Sequence, residues 1–461
     1  MSDQLVHIPP LHKLVAASGD ACVLGGTALL VSACSPAGFG GGARLDARLA
    51  ALIVATGFCF YYNDLYADAI PQRRSELLAR IIVALATAGL LLSALYGIAP
   101  ILMLDPWVLV LGLPLACVAL TAWRWLFYWI QGREELTQNL LILGTGTAAV
   151  EVARVVLEKQ GRGHKVLGFV GDDPALVGKS LLNPCVLGTL ESIESLGRRY
   201  RIDSVIVAME DRRGRLPIDT LMRCRAEGIR VEEADVFYES YTGRVPVRNL
   251  RPSSFIFSLA FNHSRLYRAC KRAMDFLLAF PALVVALPLM TLAGLLLWVE
   301  SGWPVFYKQE RVGRQGKPFV LHKLRTMRLN AEQESGPVWA AAERDPRITP
   351  IGRILRKTRL DELPQLVNVL KGEMSFVGPR PERPIFVAKL REAIPYYDAR
   401  HAVSPGITGW AQTRFTYSST VEEAETKLQY DLYYVKNMSF YMDMLILIDT
   451  AKVILLGKGA R

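Results

Sequence analysis

Cysteine is scarce in this chain. Its seven thiols (Cys22, Cys34, Cys59, Cys117, Cys185, Cys224, Cys270) in 461 residues form no Cys-x-x-Cys and none stands at metal-ligand spacing from a histidine. A disulfide framework and a zinc site are thereby excluded. Four of the seven lie in apolar segments, where a thiol behaves as a small hydrophobe. Charge is thin as well, at 21% of residues, and it leans one way: 54 Lys and Arg against 43 Asp and Glu give a net +11. A signal-peptidase pattern is missing after the first apolar run, which therefore reads as a retained anchor. What is abundant is apolar residues, 51% of the chain. An apolar chain with surplus cations suits a bilayer facing anionic lipid or phosphorylated ligands. Nucleic acid is excluded as a partner: the cations are spread over motifs and membrane flanks, with no recognition helix or stacking pattern.

A chain of 461 residues exceeds one ordinary core and predicts two or three domains. Four apolar runs, 15–37, 49–62, 81–104 and 107–130, make residues 1–134 a four-span helical region. Each approaches the ~20 residues that a helix needs to cross a bilayer, the second being the shortest. Arg73, Arg74 and Arg80 follow the second run, whereas the loop around Pro100 and Asp105 carries no cation. The positive-inside rule then places both ends of the bundle in the cytoplasm, against the contrary weight of Arg44 and Arg48.

Residues 135–250 change character. The short apolar runs 140–146, 165–171 and 203–209 alternate with helical patterns at 148–159 and 217–227, which predicts a Rossmann-like α/β domain with a doubly wound parallel sheet. Gly144-x-Gly146-x-x-Ala149 after the first strand, with Asp172-Asp173 after the next, is a partial dinucleotide fingerprint. A tight strand–helix turn that binds nothing explains it equally.

A fifth apolar run, 276–299, has cations on both flanks: Arg265, Arg268, Lys271 and Arg272 before it, Lys308, Arg311, Arg314 and Lys317 after it. Cations at both ends place both ends on one side. Pro288 removes a hydrogen bond near the middle and forces a bend. Each arm is then ~11–12 residues or ~17 Å, about half of the hydrocarbon core. Residues 264–300 therefore predict a re-entrant membrane helix, a hairpin that dips in and returns. Residues 301–461, polar, basic and ending in an amphipathic stretch at 440–457, predict a cytoplasmic catalytic domain.

The strongest local signal is RKTRLDELPQLVNVLKGEMSFVGPRPE at 356–382. Pro364 suits the first turn of a helix reaching about Leu370, and Gly372 closes it. Asp361 and Glu362 then stand at the helix start, where a carboxylate can simply cap backbone donors. Arg353, Arg356, Lys357 and Arg359 surround them, and Arg380 follows in a rigid Gly-Pro-Arg-Pro-Glu turn. Cations at a helix start make a phosphate site, and adjacent carboxylates can hold a divalent metal: the parts of phosphoryl transfer.

HKLRTM (322–327), RKTRLDELPQL (356–366), FVGPRPE (376–382), PGITGWAQ (405–412) and YDLYYVKNMS (430–439) resemble the bacterial sugar transferase family, polyprenyl-phosphate hexose-1-phosphate transferases. The four spans and α/β domain resemble its long form, such as undecaprenyl-phosphate glucose phosphotransferases. The stretch at 418–437 and the ending LLGKGAR resemble the exopolysaccharide-locus subgroup of Gram-negative bacteria. The resemblance implies a multi-pass enzyme of the bacterial inner membrane that transfers a hexose-1-phosphate from a UDP-sugar to undecaprenyl phosphate. Glucose or galactose is the sugar expected by analogy. It implies Asp361 as nucleophile on the β-phosphorus, releasing UMP and forming an aspartyl-phosphosugar, and Glu362 with Asp361 as carboxylates for Mg²⁺. Lys323, Arg325, Arg356 and Arg380 become phosphate contacts, Pro288 the membrane-breaking proline, and the α/β domain a regulatory or dimerising accessory. The chain departs from the pattern in having Leu287 before that proline, where the family often has Ser. It also reads Gln412-Thr413-Arg414-Phe415 after the tryptophan motif, which leaves the part of Arg414 open. Asp431 is either a further site carboxylate or a helix-surface residue.

Two other functions fit parts of the pattern. A membrane-anchored nucleotide-sugar dehydratase would use the α/β domain and Tyr267-x-x-x-Lys271, a spacing that also suits interfacial anchors. A non-catalytic scaffold of polysaccharide assembly would need only the basic surface, and neither the Asp-Glu pair nor the Gly-Pro-Arg-Pro-Glu turn.

Overall fold

The computed structural model describes residues 11–34, 42–63, 65–66, 74–104, 110–131, 137–158, 163–209, 216–249, 264–329, 331, 345–415 and 420–455. Arg73, Asp105 and the LLGKGAR ending beyond 455 lie outside these residues. Two compact units divide the chain, one over His7–Ala234 and the other over Asp235–Arg461.

The first unit opens with four helices, α1 (Leu11–Cys34), α2 (Gly42–Tyr62), α3 (Arg74–Ile98) and α4 (Gly112–Gln131). Three of them hold segments long and apolar enough to cross a membrane, Leu14–Cys34, Leu77–Ile98 and Gly112–Ile130. The apolar part of α2 is only Ala47–Tyr62, so the second expected span is the short one. The fourth helix that qualifies is Arg265–Ser301, in the other unit. Charge inside the bundle is paired, as lipid-facing helices require. Arg124 on α4 meets Asp20 on α1 and donates to the Leu65 carbonyl, and the Tyr66 hydroxyl donates to Asp20.

The sheet that follows is five-stranded and parallel: β1 (Gln138–Leu143), β2 (His164–Gly171), β3 (Val186–Thr189), β4 (Ser204–Val207) and β5 (Arg230–Glu233), in the order β3-β2-β1-β4-β5. The strand order reverses between β1 and β4, the place where such sheets bind ligands at their carboxyl ends. Gly144 stands there at φ +128°, and a Cβ on it would lie 2.7 Å from the Ala208 carbonyl oxygen. Close approach of two backbones therefore demands this glycine without any ligand. Ala149 is buried in α5 (Thr147–Glu158), which α6 (Ile193–Arg199), α7 (Ile218–Ala226) and α8 (Ala234–Thr242) follow in the chain, and Asp173 caps a turn by accepting from the Ala175 amide. Gly144, Ala149 and Asp173 thus each have a place in the fold.

In the second unit, α9 (Arg265–Ser301) is one helix of 37 residues with Pro281 and Pro288 inside it, capped by the Ser264 hydroxyl. Helical backbone continues through Pro288, so the two expected arms are joined in one helix. The reason lies in docking along its length. Asp275, Ala279, Ala286, Ala293 and Leu297 form a buried stripe. The alanines recur every seven residues and let the helix lie close on Leu321, Leu366, Val369 and Met374, then on Val305, Leu324 and Leu355. Side chains off the stripe, among them Leu277, Val285, Leu292 and Val299, are large, apolar and exposed. Both ends are tied to the same domain. Arg272 donates to the Val369 and Leu370 carbonyls, and Asp275 accepts from the Ser375 hydroxyl and the Phe376 amide. At the far end Glu300 accepts from the Ile351 amide.

The domain itself combines an antiparallel pair, β6 (Phe306–Val312) with β7 (Pro318–Leu324), and a short parallel pair, β8 (Ser375–Val377) with β9 (Gly406–Thr408). Around them lie α10 (Pro350–Lys357), α11 (Gln365–Lys371), α12 (Pro384–Ala393), α13 (Trp410–Arg414), α14 (Val421–Asn437) and α15 (Phe440–Leu455). Residues 235–249, assigned from sequence to the end of the α/β domain, pack here instead. Val245 and Val247 enter the core beside Trp410, Leu428 and Tyr433. Glu239 pairs with Lys436, Arg248 with Glu425, and the Trp410 indole donates to the Gly243 carbonyl.

Candidate active site

Asp361 and Glu362 occupy a 3-10 turn, Leu360–Glu362, between α10 and α11. Arg359 sits just before it in the left-handed region at φ 58°, ψ 14°. That conformation costs a non-glycine residue about 1–2 kcal/mol, and it turns the chain sharply enough to present both carboxylates together. Gly372, at φ +88°, closes α11 as the sequence predicts. The pair therefore precedes the helix.

Glu362 is surrounded by cations from three separate elements. Its Oε1 accepts from Lys323 Nζ on β7 at 2.9 Å and from Arg380 Nη2 at 2.8 Å, while Arg359 lies 3.7 Å from Oε2. Burial opposes its ionisation, but Arg380, Lys323 and Arg359 outweigh it and hold the carboxyl well below the usual range. Asp361 goes the other way. Burial raises it, against the pull of Lys323 and with the neighbouring Glu362 charge adding to the rise. It is 7% exposed, and among the described residues no hydrogen bond is drawn to its carboxylate. Two adjacent carboxylates thus have opposite environments, one locked by cations and one left with its lone pairs available, a division that assigns them different chemistry.

The other expected phosphate contacts divide. Arg380 and Lys323 meet at Glu362, and Arg356, half-buried on α10, donates to the Thr326 hydroxyl at 2.8 Å and lies within electrostatic reach of Asp361. Arg325 is elsewhere. Its Nη2 donates to the carbonyls of Ser301 and Gly302 at the end of α9, so it closes a helix terminus whose carbonyls need a donor. Arg414 pairs with Asp449 at 3.0 Å and lies over the Trp410 ring. Asp431 is no surface residue: it is 2% exposed, and its carboxylate pairs with Arg400 at 2.7 Å. Lys271, of the Tyr267-x-x-x-Lys271 spacing, is bound to the buried Asp443 at 2.7 Å on the flank of the membrane helix.

The glycine motifs explain one another. A Cβ on Gly406 would lie 2.1 Å from the Gly378 amide nitrogen, and one on Gly378 2.3 Å from the Ser404 carbonyl oxygen. FVGPRPE and PGITGWAQ are thus two halves of one backbone-to-backbone contact that carries Arg380. Sequence reasoning missed the charges behind it, Arg311, Arg400 and Lys427; the only hint was Lys427 and Asp431 at i,i+4 on α14.

Mg²⁺ is the implied metal. It commonly takes one or two carboxylates and completes its shell with phosphate oxygens and water. Asp361 and the Oε2 of Glu362 fit that sparse donor set. Among the described residues no group of three His, Cys, Asp or Glu offers a fuller cage.

A sequence model described as Bacterial sugar transferase matches residues 266–457. The UDP-N-acetylgalactosamine-undecaprenyl-phosphate N-acetylgalactosaminephosphotransferase of Aeromonas hydrophila is 41% identical over 52% of this chain and 56% of its own length. The chain thus spans little more than half of that relative. The exopolysaccharide production protein PSS of Rhizobium leguminosarum bv. phaseoli is 43% identical over 41% of this chain and 97% of itself. The undecaprenyl-phosphate galactose phosphotransferase of Salmonella typhimurium is 31% identical over 75% and 79%. With all five motifs inside the matched segment, the chain belongs to the bacterial sugar transferase family.

Proposed function

We propose that this protein transfers a hexose-1-phosphate from a UDP-sugar to undecaprenyl phosphate, releasing UMP, as the first membrane step of exopolysaccharide assembly. The observation that carries the reading is the asymmetry of the Asp361–Glu362 pair: one carboxylate clamped by Lys323 and Arg380, the other buried beside them and given no hydrogen bond by any of the described residues. The activities for which the relatives are named support both donor and acceptor.

An oxygen of Asp361 attacks the β-phosphorus. The bond from that phosphorus to the bridging oxygen breaks, UMP leaves with the electron pair, and the sugar phosphate stays on Asp361 as an acyl phosphate. An oxygen of undecaprenyl phosphate then attacks the same phosphorus, and the Asp361 carboxylate departs unchanged. Dividing one displacement into two suits a carboxylate nucleophile with anionic leaving groups. Lys323, Arg356 and Arg380 neutralise phosphate charge in a site that burial keeps from water. Mg²⁺, bound by Asp361 and Glu362, would draw further charge from the diphosphate oxygens. A lipid acceptor is met at the exposed apolar flank of α9. Re-entry of that helix, with catalysis on the cytoplasmic face of the inner membrane, is supported by the attachment of both its ends to one domain.

The test is UMP release by the purified full-length protein across UDP-glucose, UDP-galactose and their N-acetylated counterparts, with undecaprenyl phosphate. Turnover with at least one donor is expected, and its loss on chelation with EDTA and recovery with added Mg²⁺. Silence with every donor would sink the reading, and turnover undiminished by EDTA would remove the metal from it.

The pH dependence follows from the pair. Asp361 attacks only when ionised, and its folded carboxyl is raised, so activity falls as pH drops through a value above the ordinary ~3.9 of Asp. Glu362→Gln removes the adjacent negative charge that contributes to the rise. The acid limb of the remaining activity is expected at lower pH in that variant; a limb that stays put or moves upward contradicts the assignment.

A further inference from the structure

Resting on that reaction, we infer that Arg400 and Asp431 are positioning residues that hold Arg380 at the reacting carboxylates. Arg380 meets Glu362 with its side chain, and its backbone carbonyl accepts from Arg400 Nη2 at 2.9 Å. The same Nη2 lies 2.7 Å from Asp431 Oδ2, and Nη1 donates to the Tyr397 hydroxyl at 2.6 Å. Arg400 and Asp431 side chains are each 2% exposed, so neither charge is stabilised by water and each depends on the other.

The Arg380 loop needs such support. Pro379 and Pro381 have no amide hydrogen to donate, so at those residues the loop is held through its carbonyls. Gly406 donates to that of Pro379, Arg400 to that of Arg380, Arg311 to that of Pro381 and Val312 to that of Glu382. The Glu382 carboxylate in turn accepts from Lys427 at 2.6 Å. Lys427 and Asp431 are one turn apart on α14, so one helix face sets a cation and an anion against the back of the loop. None of these groups touches Asp361 or Glu362. Arg400 is the one that grips Arg380 itself, and Asp431 is what allows a guanidinium to be buried there. Three other carbonyl contacts remain when the Arg400–Asp431 pair is broken, so the loop persists while Arg380 loses its aim. A misplacement of about 1 Å can lower turnover roughly 100-fold.

A cycle of UMP-release measurements on the full-length protein tests this, using parent, Asp431→Asn, Arg380→Ala and the double variant. Asp431→Asn is expected to lower kcat by about 10- to 100-fold with KM for the UDP-sugar within a few-fold, and Asp431→Glu to recover most of it. In the Arg380→Ala background the same Asn replacement is expected to have no further effect, because the group it aims is gone. An equal loss in both backgrounds overturns the inference while leaving the reaction intact. No turnover by the parent overturns the reaction and the inference with it. Should Asp431→Asn not fold, Arg400→Lys, which keeps the charge but cannot span Asp431 and the Arg380 carbonyl, replaces it in the same cycle and is read the same way.

Discussion

Asp361→Asn is expected to lower UMP release by roughly 10⁴-fold or more, the scale on which removing a covalent nucleophile acts. Glu362→Gln is expected to lose less, on the order of 10²- to 10³-fold, the range for removing one preorganised electrostatic partner. The two differ in kind as well as size. With a donor labelled at the β-phosphate and no lipid acceptor, label should accumulate on the parent and, slowly, on Glu362→Gln, but never on Asp361→Asn. The geometry gives the reason. Glu362 is engaged by Lys323 and Arg380 through Oε1, which ties down that carboxylate, whereas among the described residues nothing donates a hydrogen bond to Asp361. Protein-bound label on Asp361→Asn would move the nucleophile elsewhere.

Lys271→Met should cost stability rather than chemistry. The Asp443 side chain is 0% exposed and its ion partner is Lys271, at 2.7 Å. Removing one member of a buried pair leaves an uncompensated charge, which typically costs about 3–5 kcal/mol. The Tyr434 hydroxyl still donates to Asp443 at 2.7 Å and recovers only part. The midpoint of thermal unfolding in detergent is expected to fall sharply, and the double change Lys271→Met with Asp443→Leu to restore most of it. A variant as stable as its parent would show that this pair does not fasten α9 to α15. Were Lys271 instead a dehydratase lysine, its loss would abolish NAD-dependent turnover at unchanged stability.

What could be read from the sequence was what short spacing encodes. Apolar runs marked the helices, alternation marked the parallel sheet, and Gly372 marked the end of α11. The Asp-Glu pair with arginines within a few residues marked a place where cations gather around carboxylates. What could not be read was which distant charge meets which. Lys323 and Arg325 are two apart, and strand alternation would put them on one face with one task. β7 ends at Leu324, however, and the carbonyls at the end of α9 capture Arg325. Arg400 and Asp431 are thirty-one positions apart and carry no local pattern that links them. Pro288 is a similar case: a proline breaks an isolated helix, but the backbone here stays helical through it while an alanine stripe is docked along the domain. Residues 235–249 belong with the second unit because Val245 and Val247 find a core there, a fact of packing and not of composition.

The alanine stripe of α9 has a kinetic consequence. A helix fastened lengthwise leaves no hinge between itself and the domain, so whatever depth it takes in lipid fixes the height of Asp361 above the headgroups. On the proposed reaction, an enzyme held at constant height would meet its two substrates in different dimensions. The nucleotide-sugar arrives from a volume, and the lipid phosphate arrives by lateral diffusion in a plane. Saturation by the acceptor would then follow its mole fraction in the bilayer, so diluting it with inert lipid slows the reaction while diluting the whole suspension of vesicles does not.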